Sequence, residues 1–337
     1  MNRFDEKYEI RLALYDEITD IMSFIDTYWK KGHILARDRK FFEYEMVVDG
    51  QVNFLIAKSK ANGNIEGILG FLPCSKNQEK LDLWGVVWKT LPGAMPMLGM
   101  ELKKRLMIIT GARTDLGVGA NLGTSIPLLK RIYHYYTAKM KHYYRLADCK
   151  DYKVALISDK TKMGKKTADG LEVKLLNNVD ELEDFYNFEK EVAIIPYKDS
   201  WYYKKRFFEH PIYKYSVWGL IKQEKKAILI TRVQEYNGSS VIRIVDYLGE
   251  QYLFSYCGDF LDSLLKEHEY IDFYFDGFDE RYVIDAGMSE VDEHSCNIIP
   301  DYFNPYEPVN VDIYVDSSNN IDKCVFFKAD GDQDRPN

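Results

Sequence analysis

The stretch from residue 81 to residue 146 constrains this chain more than any other. It opens with a strand-like run at 81–89 (LDLWGVVWK) and continues into a Pro- and Gly-containing loop at 91–99. A helix-like segment begins at Met100, and the stretch closes with Tyr133-His134-Tyr135-Tyr136 and a short run at 142–146. Where a strand ends in a Gly-containing turn that leads into a helix, the N–H groups of the loop and first helical turn converge. An anion, most often a phosphate, can sit at that spot. Glycine lets the backbone approach it closely. This reading puts a pyrophosphate at Met97, Leu98, Gly99 and Met100. The alternative is an ordinary strand–loop–helix connection. The stretch holds no GxGxxG and no P-loop lysine, which disfavours the usual dinucleotide and nucleotide sites.

At 337 residues, 46% of them hydrophobic, the chain is long for one core and points to two domains. A polar, basic, Gly-containing segment at 159–170 reads as a linker between residues 1–158 and 171–337. The formal charge of −8 argues against a large basic nucleic-acid surface, so no nucleic-acid partner is expected. Five scattered cysteines without a CxxC pair argue against a zinc cage or disulfide framework, so no metal is expected. They fit a reduced, cytoplasmic setting. The polar N-terminus is not a secretory signal, and no apolar run reaches membrane-spanning length.

Along the first half the pattern predicts a strand at 8–15, a helix from Asp16 to about Lys31, and a second helix at 39–46. Strands follow at 52–58, 65–73 and 81–89, then the loop and the Met100 helix. Residues 106–110 read as its continuation or as a further strand. A helix at 125–140 and a last strand at 141–146 complete the half. Antiparallel strands followed by α/β crossovers argue for a mixed α/β fold, a mostly antiparallel sheet flanked by helices. The second half echoes this order: strand at 171–176, helices at 180–190 and 201–209, strands at 215–222, 226–235 and 241–248, helix at 254–267, strand at 270–275. A degenerate tandem repeat is the expectation. Glu250 in the second loop would repel phosphate.

The order of elements over residues 8–148 resembles the GNAT superfamily of acyl-CoA-dependent N-acyltransferases. Leu128-Leu129-Lys130-Arg131-Ile132-Tyr133 is similar to the late helix of that family, and residues 139–146 to its closing strand. The loop at 93–99 and the missing Gly-Phe pair depart from the family pattern. The resemblance implies tandem GNAT-like halves. It also implies acetyl-CoA or another acyl-CoA as co-substrate, with Trp88 and Met97 to Met100 as coenzyme contacts. The backbone of residues 84–89 would polarise the acyl carbonyl, and Tyr133 would protonate the leaving thiolate, with Tyr135 or Tyr136 as alternatives.

For the base, Glu45, Asp82 and His33 are the candidates. Their plainer readings are a solvated helix face, a strand edge and a helix-end residue. Arg37 and Asp38 can clamp a polar acceptor or simply start a helix. The C-terminal run at 326–337 has three readings. Asp330, Asp332, Asp334 and Arg335 lie in the cleft between halves and bind sugar hydroxyls or an ammonium. Or the D-x-D-x-D spacing marks a calcium loop, or the run is a disordered acidic tail. Similarity to GNAT-like proteins of surface-polysaccharide pathways implies an amino sugar or sugar nucleotide as acceptor, and a homodimer is possible. The alternatives are a Fem-type aminoacyl or peptidyl transferase, or a non-catalytic binding protein built on decayed halves.

Overall fold

The computed structural model describes residues 2–160, 166, 170–291, 296–319 and 324–336. Most of the predicted linker at 159–170 lies outside them. Two eight-stranded mixed sheets carry the fold. The first-half strands are β1 (Tyr8–Ala13), β2 (Gln51–Ser59), β3 (Ile65–Pro73), β4 (Asp82–Thr90), β5 (Thr114–Val118), β6 (Tyr136–Lys139) and β7 (Lys141–Leu146). Then come β8 (Glu172–Leu176), β9 (Tyr215–Lys222), β10 (Lys225–Tyr236), β11 (Ser239–Gly249), β12 (Tyr270–Asp276), β13 (Tyr314–Ser317) and β14 (Phe326–Phe327).

Both sheets are covered on both faces, and the period-2 geometry of a strand shows how. Along β2, Val52, Phe54 and Ile56 pack against α1 (Ile18–Phe24) and α2 (Arg39–Met46). The intervening Leu55 and Ala57 meet Leu98, Leu102 and Leu106 of α3 (Leu98–Thr110) on the other face. In the second sheet Ala227 and Leu229 join one core and Ile228 and Ile230 the opposite one.

The first sheet runs β1-β2-β3-β4-β5-β13-β6 and the second β7-β12-β11-β10-β9-β8, with Ser289–Glu290 outside β7. The two sheets therefore trade a strand. Lys141–Leu146, expected to close the first half, pairs instead with β12. The chain leaves the first sheet at Met140, whose N–H donates to Ile313 O. Tyr143 and Tyr144 then point into two different cores of the second half. In return β13 crosses back and inserts between β5 and β6.

Each sheet also contains one parallel pair that opens after three residues. In the second sheet β11 and β12 pair at Ile242–Ile244 and then diverge. The gap is filled by the chain itself: β14 pairs with β12 at Phe275 and Asp276, and the Ala329 N–H donates to Val245 O at 2.8 Å. In the first sheet β4 and β5 pair from Asp82↔Thr114 to Trp84↔Leu116 and then separate. Among the described residues no strand fills that fork.

Two local expectations need correcting. The strand Thr114–Val118, half of the fork, was not foreseen, because Asp115 and Gly117 break its apolar pattern. Residues 106–110 continue the helix, the first of the two readings given for them. The helix from Ser125 ends early, in a wide turn at Leu129–Tyr133 that His134 stops at φ 55°.

Candidate active site

The fork opens into a cavity of about 800 Å³ bounded by both sheets and by the C-terminal segment. Gly85, Val86 and Trp88 of β4 form one edge, and Gly117 and Val118 of β5 the other. Parallel strands that part leave N–H and C=O groups on the facing edges without ladder partners. Such a gap can accept an extended ligand as a strand would.

A buried charge cluster sits where the strands part. Lys103, reaching in from α3, places Nζ 2.5 Å from Asp115 Oδ2, and the Tyr135 hydroxyl donates to the same oxygen at 2.9 Å. A β-carbon at Gly85 would lie 3.6 Å from Asp115 Oδ1 and 3.8 Å from Lys103 Nζ, so the cluster borders the first splayed residue. Burial works against the Lys103 charge, but Asp115 and Asp316 more than offset it and its pKa is raised. Burial, reinforced by Asp115, pushes the Tyr135 hydroxyl well above its usual value. Asp316 of β13 is buried beside this pair, and its Oδ1 has no hydrogen-bond partner among the described residues.

The opposite wall is built by the C-terminal segment and the second sheet. Asp334 takes Arg232 on both carboxylate oxygens, with Nη2–Oδ1 at 2.5 Å, and accepts from the Tyr215 hydroxyl at 2.8 Å. Burial alone would raise the Asp334 carboxyl, but Arg232 holds it down, to about 2. Lys328 and Arg243 share Asp301, at 2.6 and 2.7 Å. Arg335 lies 2.6 Å from Glu45 Oε2, an ion pair whose N–H is not aimed at the oxygen, and 3.0 Å from Asp332. Rings of Trp29, Tyr213, Tyr302 and Phe303 complete the wall. Arg232 stacks over Tyr213 and Arg243 over Phe303.

The residues singled out from sequence fall into three places. His33, Asp332, Asp334 and Arg335 line the cavity, and Glu45 joins them through Arg335. His33 caps a short turn through Nδ1, which accepts from Leu35 N–H. Burial, with Arg335, Lys30 and Arg37 nearby, pulls its pKa down to about 3, so it is neutral at physiological pH. Trp88 lies at the fork, and its indole N–H donates to Gly99 O at 3.0 Å. Met97, at φ 72° and exposed, precedes α3, Leu98 is buried in the core, and Met100 O accepts from the Tyr133 hydroxyl at 2.9 Å. Tyr133 therefore sits against the turn, outside the cavity lining. Arg37 and Asp38 do local work away from it: Arg37 donates to Gly32 O, and Asp38 caps α2 by accepting from Phe41 N–H. Asp330 is behind the wall, 2.6 Å from Lys198.

Asp82, the remaining candidate for the base, is fully buried under Arg113, with Nη2–Oδ2 at 2.5 Å. Lys103, Asp115, Tyr135 and Asp316 were not foreseen as a group. Their one sequence signal is a polar residue inside an otherwise apolar run: Lys103 on the apolar side of α3, Asp115 and Asp316 within short strands.

Neither a family model nor a curated protein sequence matches the chain. Solved structures do. A GCN5-related N-acetyltransferase from Anabaena variabilis ATCC 29413 is similar over 94% of this chain and 74% of its own, at a TM-score of 0.58 and 10% identity. This shows the GNAT fold, and the two mixed sheets fit two GNAT-like halves. A putative acetyltransferase from Pyrococcus horikoshii has a TM-score of 0.47 and 12% identity, over 94% of this chain and 93% of its own. Saccharomyces cerevisiae N-myristoyltransferase with bound myristoyl-CoA has 0.45 and 7%, over 95% and 79%. Those two scores are too low to carry the fold on their own. Among the described residues no helix is long and apolar enough to cross a membrane.

Proposed function

We propose that this chain is an acyl-CoA-dependent N-acyltransferase that moves an acetyl or similar acyl group to the amine of a small polar acceptor. The observation that carries this reading is the fork between β4 and β5, which opens onto a cavity furnished with charged groups. Beyond Trp84 the edge of β4 that has parted from β5 would turn backbone N–H groups toward an acyl carbonyl, whose oxygen becomes anionic during transfer. Met97 to Met100, at the start of the 13-residue helix α3, would hold the diphosphate of the coenzyme. Bound acyl-CoA supplies the activated thioester. Tyr133 lies on this donor side, while His33, Glu45, Asp332, Asp334 and Arg335 lie on the acceptor side.

Aromatic rings among buried, paired charges suit a polyhydroxylated acceptor. An amino sugar or sugar nucleotide of surface-polysaccharide biosynthesis is therefore the acceptor class proposed, in line with the resemblance read from the sequence.

Calorimetric titration with acetyl-CoA tests the reading, and micromolar binding is expected. Two substitutions locate the diphosphate. Gly99→Glu should abolish binding, but it also disturbs packing, because a β-carbon at 99 meets Trp88 Nε1 at 3.0 Å. Met97 is exposed, so Met97→Glu places charge at the turn without that contact and should weaken affinity at least about tenfold, or 1.4 kcal/mol. Undiminished affinity in both would move the coenzyme elsewhere. Binding of tRNA without acetyl-CoA would favour the Fem-type transferase, and binding of neither the non-catalytic protein.

A further inference from the structure

An amine arriving as its ammonium form must lose a proton before it can attack a thioester. We infer that Asp316 takes that proton and that the acceptor enters the fork as a cation. This deepens the acyltransferase reading and rests on it.

The argument is geometric. Asp316 stands on β13, the strand delivered from the far half of the chain, opposite Gly117 on β5. Its carboxyl group occupies the space a side chain at 117 would need: a β-carbon there would lie 2.9 Å from Asp316 Cγ. Gly117 does not have a positive φ, so the carboxylate, not the backbone, is what a larger residue would disturb. Asp316 is 3% exposed, lines the cavity, and leaves Oδ1 without a hydrogen-bond partner among the described residues. A buried carboxylate without a partner is costly, and an entering ammonium relieves that cost.

Three titratable groups face it: Lys103 from α3, Asp115 from β5 and Tyr135 from the segment before β6. Lys103 is already committed to Asp115, so the cluster still has room for one more positive charge. Burial raises the Asp316 carboxyl to about 7, with Lys103 opposing and Asp115 adding to the rise. A proton acceptor works best with a value near the working pH.

The step balances as follows. The ammonium passes one proton to Asp316 and becomes a neutral amine. Its nitrogen bonds to the thioester carbonyl carbon, and the carbon–sulfur bond breaks. The surplus proton on nitrogen ends on the departing sulfur, giving amide and thiol. Asp316 then returns its proton to solvent through the cavity.

The test compares wild type with Asp316→Asn, using acetyl-CoA as donor and thiol release as readout. Acetyl-CoA affinity should be unchanged. Transfer to glucosamine or another amine charged at neutral pH should fall by about 10²–10⁴-fold, and the acidic limb of the kcat/KM profile should disappear. Transfer to hydroxylamine, largely uncharged at neutral pH, should fall far less. Equal losses with both acceptors would assign Asp316 a merely structural role, and an unchanged profile would remove it from the mechanism. Failure of wild type to bind acetyl-CoA would instead overturn the acyltransferase reading itself, and this inference with it.

Discussion

Lys198→Met should destabilise the protein by about 3–5 kcal/mol, because it removes the cation from a buried cluster and leaves its acids behind. Lys198 is almost fully buried, with Nζ 2.7 Å from Asp246 of β11 and 2.6 Å from Asp330 of the C-terminal segment. Methionine keeps the stem's bulk, so the loss is one of charge and not of packing. In the wild type, burial lifts the Asp330 carboxyl to about 6 against the pull of Lys198. A carboxyl raised in the folded state holds its proton where the unfolded chain has lost it. Its contribution is therefore present at low pH and declines as pH climbs from about 4 to 6. Without Lys198 the decline should extend to higher pH. Urea denaturation at pH 5 and pH 8 measures this, and equal midpoints for variant and wild type at pH 8 would refute it.

Asp316→Asn should act in the opposite direction. The Asp316 carboxyl is raised to about 7, mainly by burial, from the 3.8 of an exposed aspartate. Between those values the folded wild type carries a proton that the unfolded chain does not, so stability falls as pH rises, by at most about 1.4 kcal/mol per unit. Asparagine does not titrate. The variant should therefore be more stable than wild type at pH 7, by about 2–4 kcal/mol, and the two should converge near pH 4. Thermal denaturation across that window is the measurement, and parallel curves would show that Asp316 does not titrate there. A substitution that strengthens the fold while disabling transfer is the expected signature of an acid kept for chemistry.

What the sequence made legible follows from how far each signal reaches. The β2, β9, β10 and β11 strands have long alternating or apolar runs, and their placement follows from pattern alone. Asn178 and Asp38 cap their helices through contacts within three residues. The strand Thr114–Val118 did not show, because buried polar residues in a five-residue strand erase the alternation that marks it. The trade of strands was equally hidden. Nothing within 141–146 says which sheet it joins, and its partners lie more than 120 residues away. The buried position of Asp334 and Arg335 was one of several readings of an acidic terminus. What anchors the segment, β14 pairing and Arg232, is distant in sequence. The fork cluster is similar. Lys103, Asp115 and Asp316 come from three separate elements, and single-residue chemistry gives no reason to join them.

The interleaving of β13 between β5 and β6 also sets a timetable for synthesis. On the ribosome the N-terminal sheet must wait with an unpaired interior edge until residue 317 has emerged, a long exposure for strands that could bind another chain. Asp316 arrives with that same late strand, so the carboxylate proposed to accept the proton joins the fork only after strands β8 to β12 of the second sheet have been made.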